Sequence, residues 1–149
     1  MPNPPAFEHI ADLVVRVASP TVVSSSRRVI GITGGEILGP RINGKVLPGG
    51  ADFQVIRPDH TTDLEARYVL QTESGSLIYV VNTGYRHGPA EAMDRLQRGE
   101  AVDPSLIYFR CTPRFETADA EYQWLTRHVF VGSAARYPDR VEMSFFMLL

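Results

Sequence analysis

Residues 43–75 contain the side chains in this sequence that are best suited to acid–base chemistry. Residues 48–50 are Pro-Gly-Gly, which predicts a tight turn because proline presets φ and glycine accepts the positive φ that a reversal needs. Asp52 follows this turn after one residue. An acid in this place either accepts hydrogen bonds from nearby backbone N–H groups or points at a ligand. Arg67 lies in a later strand of the same segment, where a guanidinium could hold an anion. Asp52 and Arg67 therefore begin a candidate catalytic site.

Further polar and aromatic side chains at strand positions complete this candidate set. A carboxylate that meets an arginine and a tyrosine in a closed interior could exchange protons with a bound substrate. The guanidinium would stabilise the negative charge of an enolate, phenolate or carboxylate. The alternative is that these groups are ion pairs and hydrogen bonds that only fix the register of a barrel. The predicted catalytic residues are Asp52, Arg67 and Glu116, and the predicted substrate-binding residues are Arg110, Tyr79, Tyr108, Tyr122, Trp124 and Phe53.

Whether these residues can meet depends on the direction in which the charged face of each strand points. Over residues 64–71, the period of two places Glu65 and Arg67 on one face and the apolar side chains on the other. The charged face either meets water, as one face of an antiparallel sheet usually does, or lines the interior of a closed barrel. The candidate site requires the second arrangement, in which Asp52, Arg67 and Arg110 point inward at one partly hollow space.

Other kinds of site have weaker signals. The four histidines are far apart with no paired spacing and there is one cysteine, so we expect no metal site and no cofactor. Residues 39–45 have the glycine and lysine spacing of a phosphate-binding loop. Val46 follows where Ser or Thr would hold magnesium, however, and a strand stands where a helix is required. Cys111 lies beside Arg110, a cation that would lower the pKa of its thiol, but a buried packing role is favoured.

Composition places the chain among ordinary soluble proteins. A length of 149 residues predicts one domain, residues 1–149, with a mobile proline-rich tail at residues 1–5. A net charge of −2 gives no basic footprint, so we expect neither nucleic acid nor a membrane surface as a partner. The lone cysteine cannot form an internal disulfide, and no N-terminal apolar run is long enough for a signal peptide or membrane span. Cytoplasmic localisation is therefore expected.

Strand-like segments separated by turn signals dominate the chain. Strands are predicted over residues 7–18, 27–33, 36–38, 41–47, 53–57, 64–71, 77–83, 106–112, 127–133 and 140–148, with one helix over residues 89–98. This pattern is typical of an all-β barrel or sandwich, and the lack of crossover helices favours a single antiparallel, mostly up-and-down barrel of about ten strands. Both faces of the last strand are largely apolar, which favours a homo-oligomer, either a dimer or a tetramer.

Five blocks of the sequence form a family pattern that spans nearly the whole chain. They are Gly34-Gly35 through Gly39-Pro40, Gly44-x-Val46-Leu47-Pro48-Gly49-Gly50-Ala51-Asp52, Arg67-Tyr68, Tyr108-Phe109-Arg110-x-x-Pro113-x-Phe115-Glu116-Thr117, and Tyr122-x-Trp124-Leu125. The pattern resembles the DUF3237 family, also called UPF0311. The chain departs from it at Thr126, where asparagine is usual, and at Asp59-His60, where the family usually has aspartate and glycine.

The resemblance implies a compact, lipocalin-like antiparallel barrel that commonly assembles as an oligomer. Most of the family has no assigned activity, but some relatives that modify natural products look like cofactor-free cyclases that add a hydroxyl group across an alkene. By this analogy we expect a cofactor-independent enzyme of cyclase, isomerase or lyase type, acting on a small aromatic or polyketide-like substrate in the barrel interior. The alternative is a non-catalytic barrel that binds a small apolar ligand. A purely structural interpretation applies if side chains fill the interior.

Overall fold

Ten strands form one continuous antiparallel sheet in the computed structural model, which describes residues 1–149. The strands are β1 (Phe7–Val17), β2 (Thr21–Val22), β3 (Arg27–Leu38), β4 (Gly44–Val46), β5 (Ala51–Ile56), β6 (Thr62–Thr72), β7 (Leu77–His87), β8 (Tyr108–Glu116), β9 (Phe130–Arg136) and β10 (Arg140–Leu148). Strand β1 pairs with both β3 and β10, which closes the sheet into a barrel. The predicted antiparallel, mostly up-and-down barrel is confirmed.

The barrel wall has fewer positions than it has strands. The two-residue strand β2 pairs only with β3, and β4 and β5 share the place between β3 and β6. The wall therefore consists of eight strand positions, each next to its neighbour in the chain. Short connections of this kind need no crossover helix, as the sequence pattern indicates.

One α-helix, α1 (Ala90–Gln97), follows β7, and it confirms the predicted helix. Pro89 precedes its first residue and Gly99, with φ of 79°, ends it. Two short 3-10 segments, Pro104–Leu106 and Ala120–Thr126, lie on either side of β8. None of the helices has the length and apolar character needed to cross a membrane.

Strand β3 is continuous where the sequence predicts two strands separated by glycines. Gly34 and Gly35 have φ of 149° and 155°, and the pairing with β1 shifts between Arg16 and Val17, which marks a β-bulge. A Cβ atom on Gly35 would lie 2.0 Å from the Val14 carbonyl oxygen. The glycines therefore bend β3 against β1 instead of ending it.

Strands β7 and β9 extend three or four residues beyond their predicted ends, to His87 and Arg136. Inward-facing positions therefore continue through Gly84 to Arg86 in β7 and through Ala134 to Arg136 in β9. Both arginines consequently belong to the barrel interior and not to surface loops.

The two ends of the barrel interior differ in chemistry. A hydrophobic cluster of 20 buried residues fills the end that contains Ile10, Ile78 and Phe145, and it continues to Val15, Tyr68 and Met143, which also line the cavity beside the polar groups. Tyr122 and Leu125 of the second 3-10 segment belong to this cluster, so that segment covers the apolar end. Burial of this apolar surface, at about 25 cal/mol per Å², provides the main stabilisation of the barrel. The buried charged groups lie at the opposite end.

Candidate functional site

The opposite end of the interior, which we call the polar end, holds hydrogen-bonding and charged side chains from β3, β5, β6, β7 and β9. They are Arg28, Asp52, Gln54, Thr62, Asn82, Arg86 and Arg136. All of them except Arg28 and Thr62 line a cavity that leaves about 50 Å³ open to the centres of water molecules. Its wall is mainly apolar and includes Val15, Ile30, Leu64 and Met143. Small-molecule sites usually have this composition, an apolar cavity on which a few polar groups converge.

Asp52 reaches the interior because of the turn that precedes it. Gly49 has φ of 107°, and a Cβ atom on Gly50 would lie 2.4 Å from the Arg67 carbonyl oxygen, so both positions need glycine. Strand β5 then pairs Asp52 with Ile30 of β3 on one side and with β6 on the other. The turn therefore determines where β5 begins and which of its side chains point into the barrel.

The Asp52 carboxyl group is only partly satisfied. Its Oδ2 accepts a hydrogen bond of 2.8 Å from Gln54 Nε2. The residue retains some exposed surface, but its Oδ1 is shielded from solvent and has no hydrogen-bond partner. Burial raises the pKa of Asp52, although the Gln54 bond and the positive charge of Arg86 act in the opposite direction. Asp52 is thus a carboxyl group that resists ionisation.

Three arginines share the polar end with Asp52. Arg28 and Arg86 are 8% and 4% exposed, and Arg136 is half-buried. Arg28 Nε, Arg86 Nε and Arg136 Nη1 have no hydrogen-bond partner. The Arg86 guanidinium lies 5.3 Å from the centre of the Phe109 ring. Burial lowers the pKa of all three, that of Arg86 to about 10.

Neutral polar groups complete the lining of the cavity. The Tyr68 hydroxyl and Asn82 Oδ1 are buried without a hydrogen-bond partner, and burial raises the pKa of Tyr68. Cys111 is also buried, which raises the pKa of its thiol to about 11. No three histidine, cysteine or acidic side chains gather closely enough to hold a metal ion. The carboxyl group of Asp52 and the guanidinium groups beside it can transfer a proton and stabilise an anion.

Comparison with known proteins places this barrel in a family. Residues 5–148 match DUF3237, a protein family of unknown function. The chain belongs to the DUF3237 family. A UPF0311 protein of Rhodopseudomonas palustris is 54% identical over 123 residues, which are 83% of this chain and 80% of that protein. The family resemblance is confirmed.

Solved structures share this DUF3237 fold. The crystal structure of the same Rhodopseudomonas palustris protein, of unknown function, matches with a TM-score of 0.96 at 46% identity over 100% of both chains. A β-barrel-like protein of Acinetobacter baumannii matches with a TM-score of 0.85 at 37% identity, covering 100% of this chain and 99% of the other. An enzyme from Penicillium herquei matches with a TM-score of 0.73 over 100% of this chain and 98% of the other, and its 20% identity shows the fold alone.

The structure does not bring the predicted catalytic residues together. Asp52, in the Pro-Gly-Gly-Ala-Asp block of the DUF3237 pattern, faces the interior as expected. Arg67 lies on the outer face, where it contacts Glu65 and Tyr79 at 3.1 and 3.2 Å. Arg110 is also exposed, with Nη1 donating to the Phe109 carbonyl oxygen. The prediction that Asp52, Arg67 and Arg110 all point inward is wrong. The apolar face of each strand points into the barrel, so the opposite face, with Arg67 and Arg110, points outward.

The remaining predicted residues lie at two other places. Glu116, Tyr79, Tyr108 and Phe53 are on the outer surface, where Tyr79 pairs in register with Glu116. Tyr122 is buried at the apolar end, and the Trp124 ring there lies 4.0 Å from the Arg41 guanidinium. These side chains do not line the cavity that Asp52 faces.

Sequence reasoning missed the three interior arginines. Arg86 and Arg136 lie just beyond the ends of the predicted strands 77–83 and 127–133, and Arg28 lies in the predicted strand 27–33 but is not among the predicted site residues. A signal for two of them exists in the alternation itself. Continuing the inward period of β7 from Ile78 reaches Arg86, and continuing that of β9 from Phe130 reaches Arg136.

Proposed function

We propose that this DUF3237 protein is a cofactor-independent enzyme that performs acid–base chemistry on a small aromatic or polyketide-like substrate in the barrel interior. The observation that supports the proposal is the Asp52 carboxyl, whose Oδ1 is shielded, unpartnered and part of the cavity lining. Because its pKa is raised by burial, this group can carry a proton at a pH where an exposed carboxyl is ionised. It can therefore act first as an acid and then as a base.

The proposed chemistry is a cyclisation by hydroalkoxylation, an isomerisation or a lyase reaction. In the cyclisation, the Asp52 carboxyl donates its proton to one carbon of a substrate alkene. A hydroxyl oxygen of the same substrate forms a bond to the other carbon, and the hydroxyl proton returns to the Asp52 carboxylate. Atoms and charge balance without a redox step, and the carboxyl is regenerated. The apolar wall would keep water from competing for the alkene.

The fold is compatible with catalysis, since the Penicillium herquei enzyme has the same architecture. That likeness concerns the barrel and not the site. The proposal accordingly rests on Asp52 and the cavity.

Turnover of ortho-prenylphenol tests the proposal, because this probe combines a phenol hydroxyl and an alkene in one small molecule. We expect the protein to form the cyclic ether faster than buffer alone and, in heavy water, to place deuterium on the former alkene carbon. The substitution Asp52→Asn should remove this rate. Glu73→Gln, at an exposed carboxyl in the β6–β7 turn, should leave it unchanged. Equal rates for the parent protein and Asp52→Asn would contradict the proposal.

A second candidate is a barrel that binds a small apolar ligand without catalysis. The specific observation in its favour is the cavity wall, in which 11 of 17 lining residues are hydrophobic. Binding without turnover, with the same affinity in Asp52→Asn, would favour this alternative. Cytoplasmic localisation and a homo-oligomer, dimer or tetramer, stay predictions. The mass of the protein in solution tests the oligomer.

A further inference from the structure

The three guanidinium groups at the polar end have no counter-ion of their own. None of Arg28, Arg86 and Arg136 takes part in any of the ten ion pairs of the structure, which join other residues. Arginine has five N–H donors and no acceptor, so each buried N–H needs an oxygen or a π face. Arg86 has only the Phe109 ring. Donors left unpaired in this way are costly and call for an explanation.

Charge counting at the polar end gives the sign of the missing partner. Asp52 is the one carboxylate among the residues that line the cavity. Arg86 and Arg136 line the same cavity, and the charge of Arg28 acts on both of them. Asp139 also acts on Arg136, from outside the cavity lining, so the positive charges inside the barrel outnumber the one carboxylate there even when Asp52 is ionised. The resulting excess of positive charge is held where Arg28 and Arg86 are nearly inaccessible to water. A ligand that neutralises this excess must carry an acidic oxygen.

We infer that the polar end is a binding site for a compact organic anion, whose carboxylate oxygen lies on Arg86 and Arg136, with Arg28 beside them. The inference rests on the proposed function, because it names the substrate class of that same site. The apolar body of the anion lies against the cavity wall between Ile30, Leu64 and Met143.

The wall and the size of the cavity argue against a bare inorganic anion. Sulfate or phosphate would have to lose its hydration against aliphatic side chains on most of its surface, which is costly for a charge. A space of about 50 Å³ for the centres of water molecules holds roughly four waters, or one small ring in their place. An acid with a single ring satisfies both the charge and the wall.

Asp52, Arg86 and Arg136 line the same cavity, so the Asp52 carboxyl can take part in the chemistry of a ligand held there. The positive charges of Arg86 and Arg136 act on Asp52, although neither arginine forms an ion pair with it. The arginines are therefore free to hold an anion, while Asp52 keeps an unpartnered oxygen for a proton transfer.

Calorimetric titration with benzoate and with benzamide tests the inference. The two molecules have the same shape, but only benzoate is charged. We expect benzoate to bind at least about tenfold more tightly, as charged hydrogen bonds require. Arg86→Met and Arg136→Met should each weaken benzoate binding by about tenfold or more while leaving the affinity for benzamide nearly unchanged. Arg114→Met, at an exposed arginine of β8, is the matched control and should change neither affinity.

Several outcomes would overturn the inference. These are equal affinity for benzoate and benzamide, no benzoate binding at millimolar concentration, or the same loss in Arg114→Met as in Arg86→Met. Arg86→Lys, which keeps the charge, provides a second check and should retain part of the benzoate affinity. Sodium phosphate in place of benzoate distinguishes an inorganic anion site, since tight phosphate binding would also overturn the inference. Arginine-dependent benzoate binding without turnover of ortho-prenylphenol would remove only the proposed enzyme activity.

Discussion

The Asp52 carboxylate accepts a 2.8 Å hydrogen bond from Gln54 Nε2, two residues further along the same face of β5. This amide is its one side-chain hydrogen-bond partner, and the second carboxylate oxygen has none. The nearby arginines influence the acid through their charge without contacting it. The acid is therefore positioned by its own strand, and the cations by β3, β7 and β9.

Replacement of Asp52 by asparagine should make stability less sensitive to pH. The pKa of Asp52 is raised from its ordinary value of 3.8 by burial. Its contribution to stability is therefore complete below that ordinary value and is lost as the pH rises through the folded-state pKa. Asparagine can still accept the Gln54 bond but cannot ionise. We expect the free energy of unfolding of Asp52→Asn, relative to the parent, to increase between pH 4 and pH 8.

Urea unfolding at several pH values measures this difference. Glu73→Gln, which removes an exposed carboxyl group, should show no such trend. A parent protein that gains stability relative to Asp52→Asn as the pH rises would show that the arginines outweigh burial.

Replacement of Arg86 by methionine should stabilise the protein while removing the anion site. Methionine keeps the apolar stem beside Phe109 and removes a buried charge that has no ion-pair partner. The desolvation cost of that unpaired group is then absent, so we expect a gain of about 1–3 kcal/mol. Burial lowers the pKa of Arg86 to about 10, which means that the fold destabilises the charged guanidinium relative to the unfolded chain. This cost is complete at every pH below about 10, where the group is charged in both states. The gain should be complete at pH 7 and decrease above about pH 10. Thermal and urea unfolding measure it.

Arg114→Met is the control for this prediction, because an exposed substitution away from such features changes stability by only about 0.5 kcal/mol or less. If Arg86→Met were instead clearly less stable than the parent, Arg86 would have a stabilising partner within the chain. That result would also weaken the inferred anion site.

The sequence predicts the barrel because its strands are local and regular. Alternation along β6 and β10 and the turn at residues 48–50 determine strand direction and phase without long-range information. Asp52 could be selected for the same reason, since it follows that turn directly. The pairing of β1 with β3 closes the barrel, and it requires no strand or helix beyond those that form the rest of the sheet.

The site could not be predicted because it depends on which face becomes the interior. Arg67 and Arg110 lie on the charged faces of strands whose other faces are apolar, and closure of the barrel buries the apolar faces. Arg86 follows Gly84, a residue typical of the start of a loop, so the sequence predicts a strand that ends at residue 83. The alternation from Ile78 reaches Arg86, and the register between β7 and β8, which extends to His87, shows that the strand continues through it.

The β5–β6 turn contains a residue that is not suited to its backbone conformation. His60 has φ of 69° and is the one residue other than glycine with a positive φ. The left-handed conformation costs a residue with a Cβ atom about 1–2 kcal/mol, which exceeds the entropy cost of glycine. His60→Gly should therefore raise the free energy of unfolding by about 0.5–1 kcal/mol. Urea unfolding measures this gain.

His60→Ala separates the backbone effect from the loss of the side chain. His60 Nδ1 lies 3.4 Å from the Asp94 carboxylate on α1, and both variants lose this contact. Alanine keeps the Cβ atom and hence the strain, so we expect His60→Gly to be more stable than His60→Ala. The reverse order would show that the turn does not strain this residue.

Cys111 should be nearly inert toward thiol reagents in the folded protein. Its side chain is 5% exposed, and burial raises the pKa of the thiol to about 11, so little of the reactive thiolate is present at pH 8. We expect its reaction with a disulfide reagent to be at least about a hundredfold slower in the native protein than after unfolding in guanidinium. Val129→Cys in a Cys111→Ala background places a thiol at a 64% exposed position and should react rapidly. Equal rates for Cys111 and this exposed thiol would show that the cavity admits the reagent and that β8 opens easily beside Gly132.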